Sequence, residues 1–162
     1  MGPRHNGRGA SEQGESVSIT RIRELCSDAE TLLEAGQAEL AQKTAERAVE
    51  EATTYGHDAS LAMATMILAW ICHASGKLDE CRDHLERSLK IGDSLSEIDF
   101  DGQIVVMKHA CHLLAELGDA QRARGIADNI LKKLSNWHSP EHPIVAHTRL
   151  ELAAWVIFPS SD

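Results

Sequence analysis

Leu68-Ala69-Trp70-Ile71-Cys72-His73-Ala74-Ser75-Gly76-Lys77-Leu78-Asp79-Glu80-Cys81 holds the end of one helix, a glycine turn and the start of the next. Two other stretches repeat its chemistry, around Ala35-Gly36-Gln37-Ala38 and Leu117-Gly118-Asp119-Ala120. Seven residues before each glycine stands a small side chain (Ala29, Ala69, Cys111), and four before stands Leu32, Cys72 or Leu114. Five after each glycine comes Ala41, Cys81 or Ala123, nine after comes Ala45, Leu85 or Ala127, and thirteen after comes Val49, Leu89 or Leu131. Steps of three and four residues keep side chains on one face of a helix, so each glycine joins two antiparallel helices that meet through these positions. Small residues beside the turn let the backbones approach, and larger ones fill the space further out. The glycine itself suits a helix C-terminus, where the chain turns through the left-handed region.

The spacing from Gly36 to Gly76 is 40 residues and from Gly76 to Gly118 it is 42. A period of that length predicts a solenoid of helical hairpins. Seven helices are expected, at Ser18 to Ala35, Ala38 to Thr54, Asp58 to Ser75, Leu78 to Ile91, Gly102 to Leu117, Ala120 to Leu134 and Pro143 to Phe158. Asp58 and Asp119 are candidate caps, and Pro143 suits a first helical turn. Gly92 to Asp101 and Ser135 to His142 read as connections between hairpins, and His138 and His142 as turn residues. The aromatic content of 4% fits close helix packing through Ala and Leu. At 162 residues the chain is long enough for one hydrophobic core.

The pattern resembles the tetratricopeptide repeat family, in the longer-period variety found in kinesin light chains. Leu68-Ala69, Cys72, Gly76 to Cys81, Leu85 and Ser88-Leu89 carry the resemblance. So do Leu117 to Ala120 with Ala123, Ala127 and Leu131, and Ala35 to Ala38 with Ala41, Ala45 and Ala48. His142-Pro143-Ile144-Val145-Ala146 looks like the start of a further repeat. Thr65 and Asp28 depart from the pattern. The resemblance implies an all-α domain over 18–158, three hairpins and a closing helix, between a disordered arm (1–17) and a short tail (159–162). The arm is glycine-rich and polar, with too little apolar surface to offset the entropy of ordering it. Gly2 opens no myristoylation motif, since Pro3 and Asn6 depart from it, and no charged start with an apolar run suggests a secretory signal.

The resemblance also implies a concave surface lined by the first helix of each hairpin. The middle hairpin would contribute Met63, Met66, Ile67, Trp70 and His73. Arg23, Cys26, Ser27, Glu30 and Leu33 would flank them on one side, and Val105, Lys108, His109, His112 and Glu116 on the other. Met63, Met66, Ile67, Trp70, His73, Lys108, His109 and His112 are therefore the candidate partner-binding residues. An apolar-centred groove suits a peptide or helix with apolar anchors, and Trp70→Ala or Met66→Glu is expected to weaken its capture. Relatives that grip a chaperone's terminal carboxylate use basic and amide side chains. Here the matching places hold Cys26, Glu30, Ile67, Val105 and His109, so no such clamp is expected.

Leu152-Ala153-Ala154-Trp155 parallels Ile67-Leu68-Ala69-Trp70, so the last helix opens a fourth hairpin whose second helix is missing. Trp155, Ile157 and Phe158 then serve either a lid turned inward or a dimer or partner contact. Leu61 to Cys72 is the most apolar stretch and is too short for a membrane span. The formal charge of −9 opposes nucleic-acid binding, and Lys132-Lys133 with Arg122 and Arg124 reads as a solvated face. His109, His112 and Glu116 share a helix face but match no established metal motif. Cys72, Cys81 and Cys111 occupy small apolar positions, and unpatterned cysteines suit a reduced, cytoplasmic setting. The expectation is a non-enzymatic scaffold or adaptor, without cofactor or metal, binding protein. A repeat-type escort for an unstable client is the first alternative, and a metal-dependent or regulatory enzyme the second.

Overall fold

The computed structural model describes residues 8–96 and 99–157, with side chains from 17 to 155 outside that gap. Among them are seven helices and no strand: α1 (Arg8–Glu34), α2 (Ala38–Tyr55), α3 (Asp58–Ala74), α4 (Leu78–Ser94), α5 (Phe100–Glu116), α6 (Ala120–Ser135) and α7 (Pro143–Ile157). No helix of the described residues is long and apolar enough to cross a membrane. Most ends fall within a few residues of the positions read from periodicity. The largest difference is α1, which begins at Arg8 rather than Ser18 and so includes 8–17 of the expected arm. Apolar periodicity marks only where a helix has a partner. A nucleated helix continues beyond that, because each further residue adds one hydrogen bond at small cost. Residues 1–7 and 158–162, with the rest of the expected arm, the tail and Phe158, lie outside the described residues.

Each hairpin turns by the same device. Gly36, Gly76 and Gly118 have φ of 74°, 72° and 76°. At Gly76 the glycine N–H donates to the His73 carbonyl at 3.0 Å, and the Lys77 N–H donates to that of Cys72 at 2.8 Å. This pair of bonds satisfies carbonyls that the last helical turn leaves open. Lys77 then accepts from the Cys81 N–H at 2.9 Å, so the residue that ends one helix caps the next. Gly56, φ 65°, makes the equivalent turn between α2 and α3, in the break expected between Thr54 and Asp58. There the cap is His57 rather than Asp58, its Nδ1 accepting from the Ser60 N–H. Asp119 caps α6 as expected, accepting from Arg122 N–H at 3.3 Å.

The small residues flanking the turns, Ala29, Ala41, Ala69, Cys81, Cys111 and Ala123, are all fully buried. Further out the structure shifts the stripe by one residue. Ala48, Ser88 and Ile130 face the core twelve residues after each glycine, followed by Ala52, Gly92 and Leu134 at sixteen. Val49, Leu89 and Leu131, expected there, sit at the edge of the core. Five, nine, twelve and sixteen track the helical period more closely than a repeated step of four. Gly92 is accordingly inside α4 and not in a loop. A Cβ there would stand 3.4 Å from Val106 Cγ1, and Gln103 Nε2 donates to its carbonyl at 2.9 Å.

Consecutive helices pack on one another, and α1 also meets α3, α3 meets α5 and α5 meets α7. No comparable contact joins α2 to α4 or α4 to α6. The odd-numbered helices thus form a continuous layer. The even-numbered ones stand apart behind it, with a cleft of about 520 Å³ between α4 and α6 crossed by the Glu86–Arg122 ion pair. α3 divides its side chains between two cores. Ala64, Ile67, Leu68 and Ile71 pack with α1 and α2, while Ala62, Met66, Ala69 and Cys72 pack with the helices that follow. That double duty explains its nearly unbroken apolar sequence. Thr65, also fully buried, is satisfied by donating to the Leu61 carbonyl at 2.7 Å.

Candidate functional site

The odd-numbered helices run in the same direction, so equivalent positions stand side by side across their layer. Glu30, Trp70 and His112 each lie six residues before a hairpin glycine, and the parallel between Trp70 and Trp155 extends the row to α7. Trp70 and His112 have ring centroids 4.9 Å apart, and His112 stacks on Trp155 at 4.9 Å with an interplanar angle of 9°. His73 meets the edge of Trp70 at 6.0 Å. The row gives the layer a rigid aromatic centre, because each flat ring is held by the next.

Three connected cavities open along this row. One, of about 380 Å³, lies between Arg23, Cys26, Ser27 and Glu30 of α1, Met63 of α3 and Val105 of α5, with His57, Ala59, Ser60, Asp101 and Gly102 at its end. A second, of about 280 Å³, lies between Val105, Lys108, His109 and His112 of α5 and Glu151 and Trp155 of α7. The third, of about 220 Å³, has Glu30, Leu33 and Glu34 on one side, Ile67 and Trp70 as its floor, and His109 and His112 opposite. Glu30, Val105, His109 and His112 are each shared between two cavities, which makes them one winding groove.

Met63, Ile67, Trp70, Lys108, His109 and His112 therefore all line the groove. Met66 does not. It is fully buried in the core shared with α4 and α5, because it stands about 60° around α3 from Met63, on the side opposite Ile67, and that side carries the second core. Met66→Glu would place an unpaired carboxylate in that core, so it reports on folding and not on the groove. His73 lies beside the cavities, against Trp70. Glu34, His57, Asp101, Glu151 and Trp155 join the lining without having been expected. For Trp155 a signal was present in its register with Trp70. For the others there was none, since they approach from helix ends or from α7.

The electrostatics are uneven along the groove. Lys108 pairs with Glu151, which His147 Nε2 also approaches at 3.6 Å. His112 Nε2 lies 3.7 Å from Glu116. Burial pushes the His112 imidazole below its ordinary value, with His73 acting in the same sense and Glu116 against. Burial, then His112 and Lys108, lower His109. Across from them, burial and then the Glu34 carboxylate raise Glu30. Among the described residues no basic side chain pairs with Glu30 or Glu34.

Among the described residues no group of three His, Cys, Asp or Glu, His109, His112 and Glu116 included, is disposed to hold a metal ion. Cys26, Cys72, Cys81 and Cys111 are free and buried. Burial, then Glu30, pushes the Cys26 thiol up to about 12, and burial raises Cys111 to about 11, the reverse of what activates a cysteine nucleophile. α7 turns Val145, Thr148 and Leu152 into the core and Trp155 onto His112. Trp155 is therefore engaged within its own chain, while the side chain of Ile157 and Phe158 lie outside the described residues. No protein-family model, curated protein or solved structure matches this chain.

Proposed function

We propose that the chain is a tetratricopeptide-like α-solenoid of three hairpins and a closing helix, and that it acts as a non-enzymatic interaction module holding a peptide or helical segment of another protein. The observation that carries this reading is the continuous groove along the odd-numbered helices. Its centre is aromatic and apolar, through Met63, Ile67, Trp70, His112 and Trp155, and its two sides are polar. Val105, at 42% exposure, stands at the junction of two cavities as an unfilled apolar contact. A partner that buries such a rigid aromatic centre gains area without having to order it. The identical turns, the 40- and 42-residue spacing and the odd-helix layer support the repeat assignment.

Selection of random dodecapeptides on the purified chain tests the reading. Peptides are expected to bind wild type and to lose at least tenfold in affinity to Val105→Glu and Met63→Glu, with helicity by circular dichroism unchanged. Failure to select any peptide, or binding indifferent to both variants, would remove the groove as the functional face.

A further inference from the structure

The smallest cavity of the groove has the most specific chemistry, and of the three it alone has carboxylates in its lining with no lysine or arginine. Ile67 and Trp70 form its floor, His109 and His112 its far side, and Glu30 and Glu34 the near side. The two carboxylates are one helical turn apart on α1, a like-charge arrangement that is unfavourable by itself, and they have no basic partner among the described residues. Burial holds both imidazoles opposite below their ordinary value, so neither gives the carboxylates a fixed positive partner. An apolar ligand would desolvate both carboxylates without compensation. An anion would be repelled by them. A cation satisfies both and also faces an indole, the side chain whose ring quadrupole attracts positive charge most strongly.

From this cavity we infer an arginine-specific pocket: the groove takes a partner segment whose arginine side chain rests on Trp70 and is forked by the Glu30 and Glu34 carboxylates. This deepens the groove reading and rests on it. Guanidinium fits better than ammonium for a geometric reason. It is flat, stacks on an aromatic face and presents several N–H groups in one plane, so it can reach two carboxylates while covering a ring. The formal charge of −9 adds a long-range bias toward basic segments. The aliphatic stem of the arginine would lie along Ile67.

The test is a titration of the isotope-labelled chain with N-acetyl-arginine amide and, separately, with its neutral isostere N-acetyl-citrulline amide, followed by amide and indole resonances. The arginine compound is expected to shift the Trp70 indole N–H and the amides of Glu30, Glu34, His109 and His112. Citrulline amide should bind at least tenfold more weakly, as should arginine amide to the Glu30→Gln, Glu34→Gln double variant. Equal binding of the two compounds, shifts confined to other surfaces, or an unaffected double variant would each overturn the pocket. The citrulline comparison uses wild-type protein and so does not depend on the variant folding. Selected peptides that bind the groove without arginine, alongside a silent titration, would sink the pocket and leave the groove. Arginine-specific shifts without any groove-binding peptide would keep the pocket and remove the groove. Sedimentation of the chain alone supplies the remaining outcome: a dimer that dissociates in the double variant would place this chain's own arginine in the pocket and overturn a separate partner.

Discussion

Two glycines of this chain should respond to the same substitution with opposite sign. Gly76 has φ 72° at the central turn, whereas Gly125 lies within α6; a Cβ added at either would meet nothing within 4 Å. Sterics with the rest of the fold therefore drop out of both. Replacement by alanine removes similar freedom from the unfolded chain in each case. What differs is the backbone conformation in the folded state. At Gly76 alanine is forced into the left-handed region, which costs about 1–2 kcal/mol. At Gly125 alanine replaces the poorest ordinary helix former with the best, a gain of about 1 kcal/mol. Gly76→Ala should thus lower, and Gly125→Ala raise, the urea midpoint, each by about 0.5 M at a slope typical of a small domain. In thermal melts a change of 1 kcal/mol corresponds to about 2–4 °C for a chain of this size. Equilibrium urea unfolding followed by far-ultraviolet circular dichroism, with the slope compared among the three proteins, is the assay. A neutral Gly76→Ala would show that the turn relaxes to negative φ and that the shared glycine device does not govern the hairpin. A destabilising Gly125→Ala would show that this face of α6 is packed against something.

Met63 and Met66 should separate groove from core: Met66→Glu, an unpaired carboxylate at 0% exposure, is expected to cost upwards of about 4 kcal/mol and abolish the folded circular-dichroism signal, while Met63→Glu keeps helicity and loses peptide binding. The four thiols should resist a disulfide reagent at pH 8 in the native protein and all react in denaturant, because burial holds each above its ordinary value; rapid native labelling would contradict the packing. The same shifts make the fold weaken as pH rises above about 9, since the unfolded thiols ionise first. His84, His109 and His112 act at the other end. Burial lowers all three from 6.5, so below that pH the unfolded chain binds protons that the folded one refuses, and stability should fall as pH drops from 7 toward the lowered values. Glu30, raised by burial and then by Glu34, opposes this. Urea midpoints in a Glu30→Gln background should therefore show a steeper acid loss than wild type, and equal slopes would argue against a raised, half-buried Glu30 carboxylate.

The sequence by itself determined the local architecture. Gly36, Gly76 and Gly118 were legible as turns because only glycine enters the left-handed region cheaply, and the small residues around them were legible as contacts because close helices exclude larger side chains. The break at Gly56 was legible between the expected helix bounds at Thr54 and Asp58, although the residues around it do not repeat the flanking pattern of the other three. Gly92 was misplaced into a loop because its use, admitting Val106 from α5, depends on a helix that arrives from elsewhere in the chain. Tertiary structure decided the site. Spacing could assign Met66 to the same helix as Met63 and Trp70, but which flank faced the groove depended on where α5 packed. It could align Trp70, His112 and Trp155 as equivalents, but not stack them. The carboxylates of α1 came to face the imidazoles of α5 only because the odd-numbered helices pack as one layer. A pattern of three and four encodes which residues of one helix share a face. The angle and distance between helices, and hence what meets across a groove, come from the packing of all of them at once.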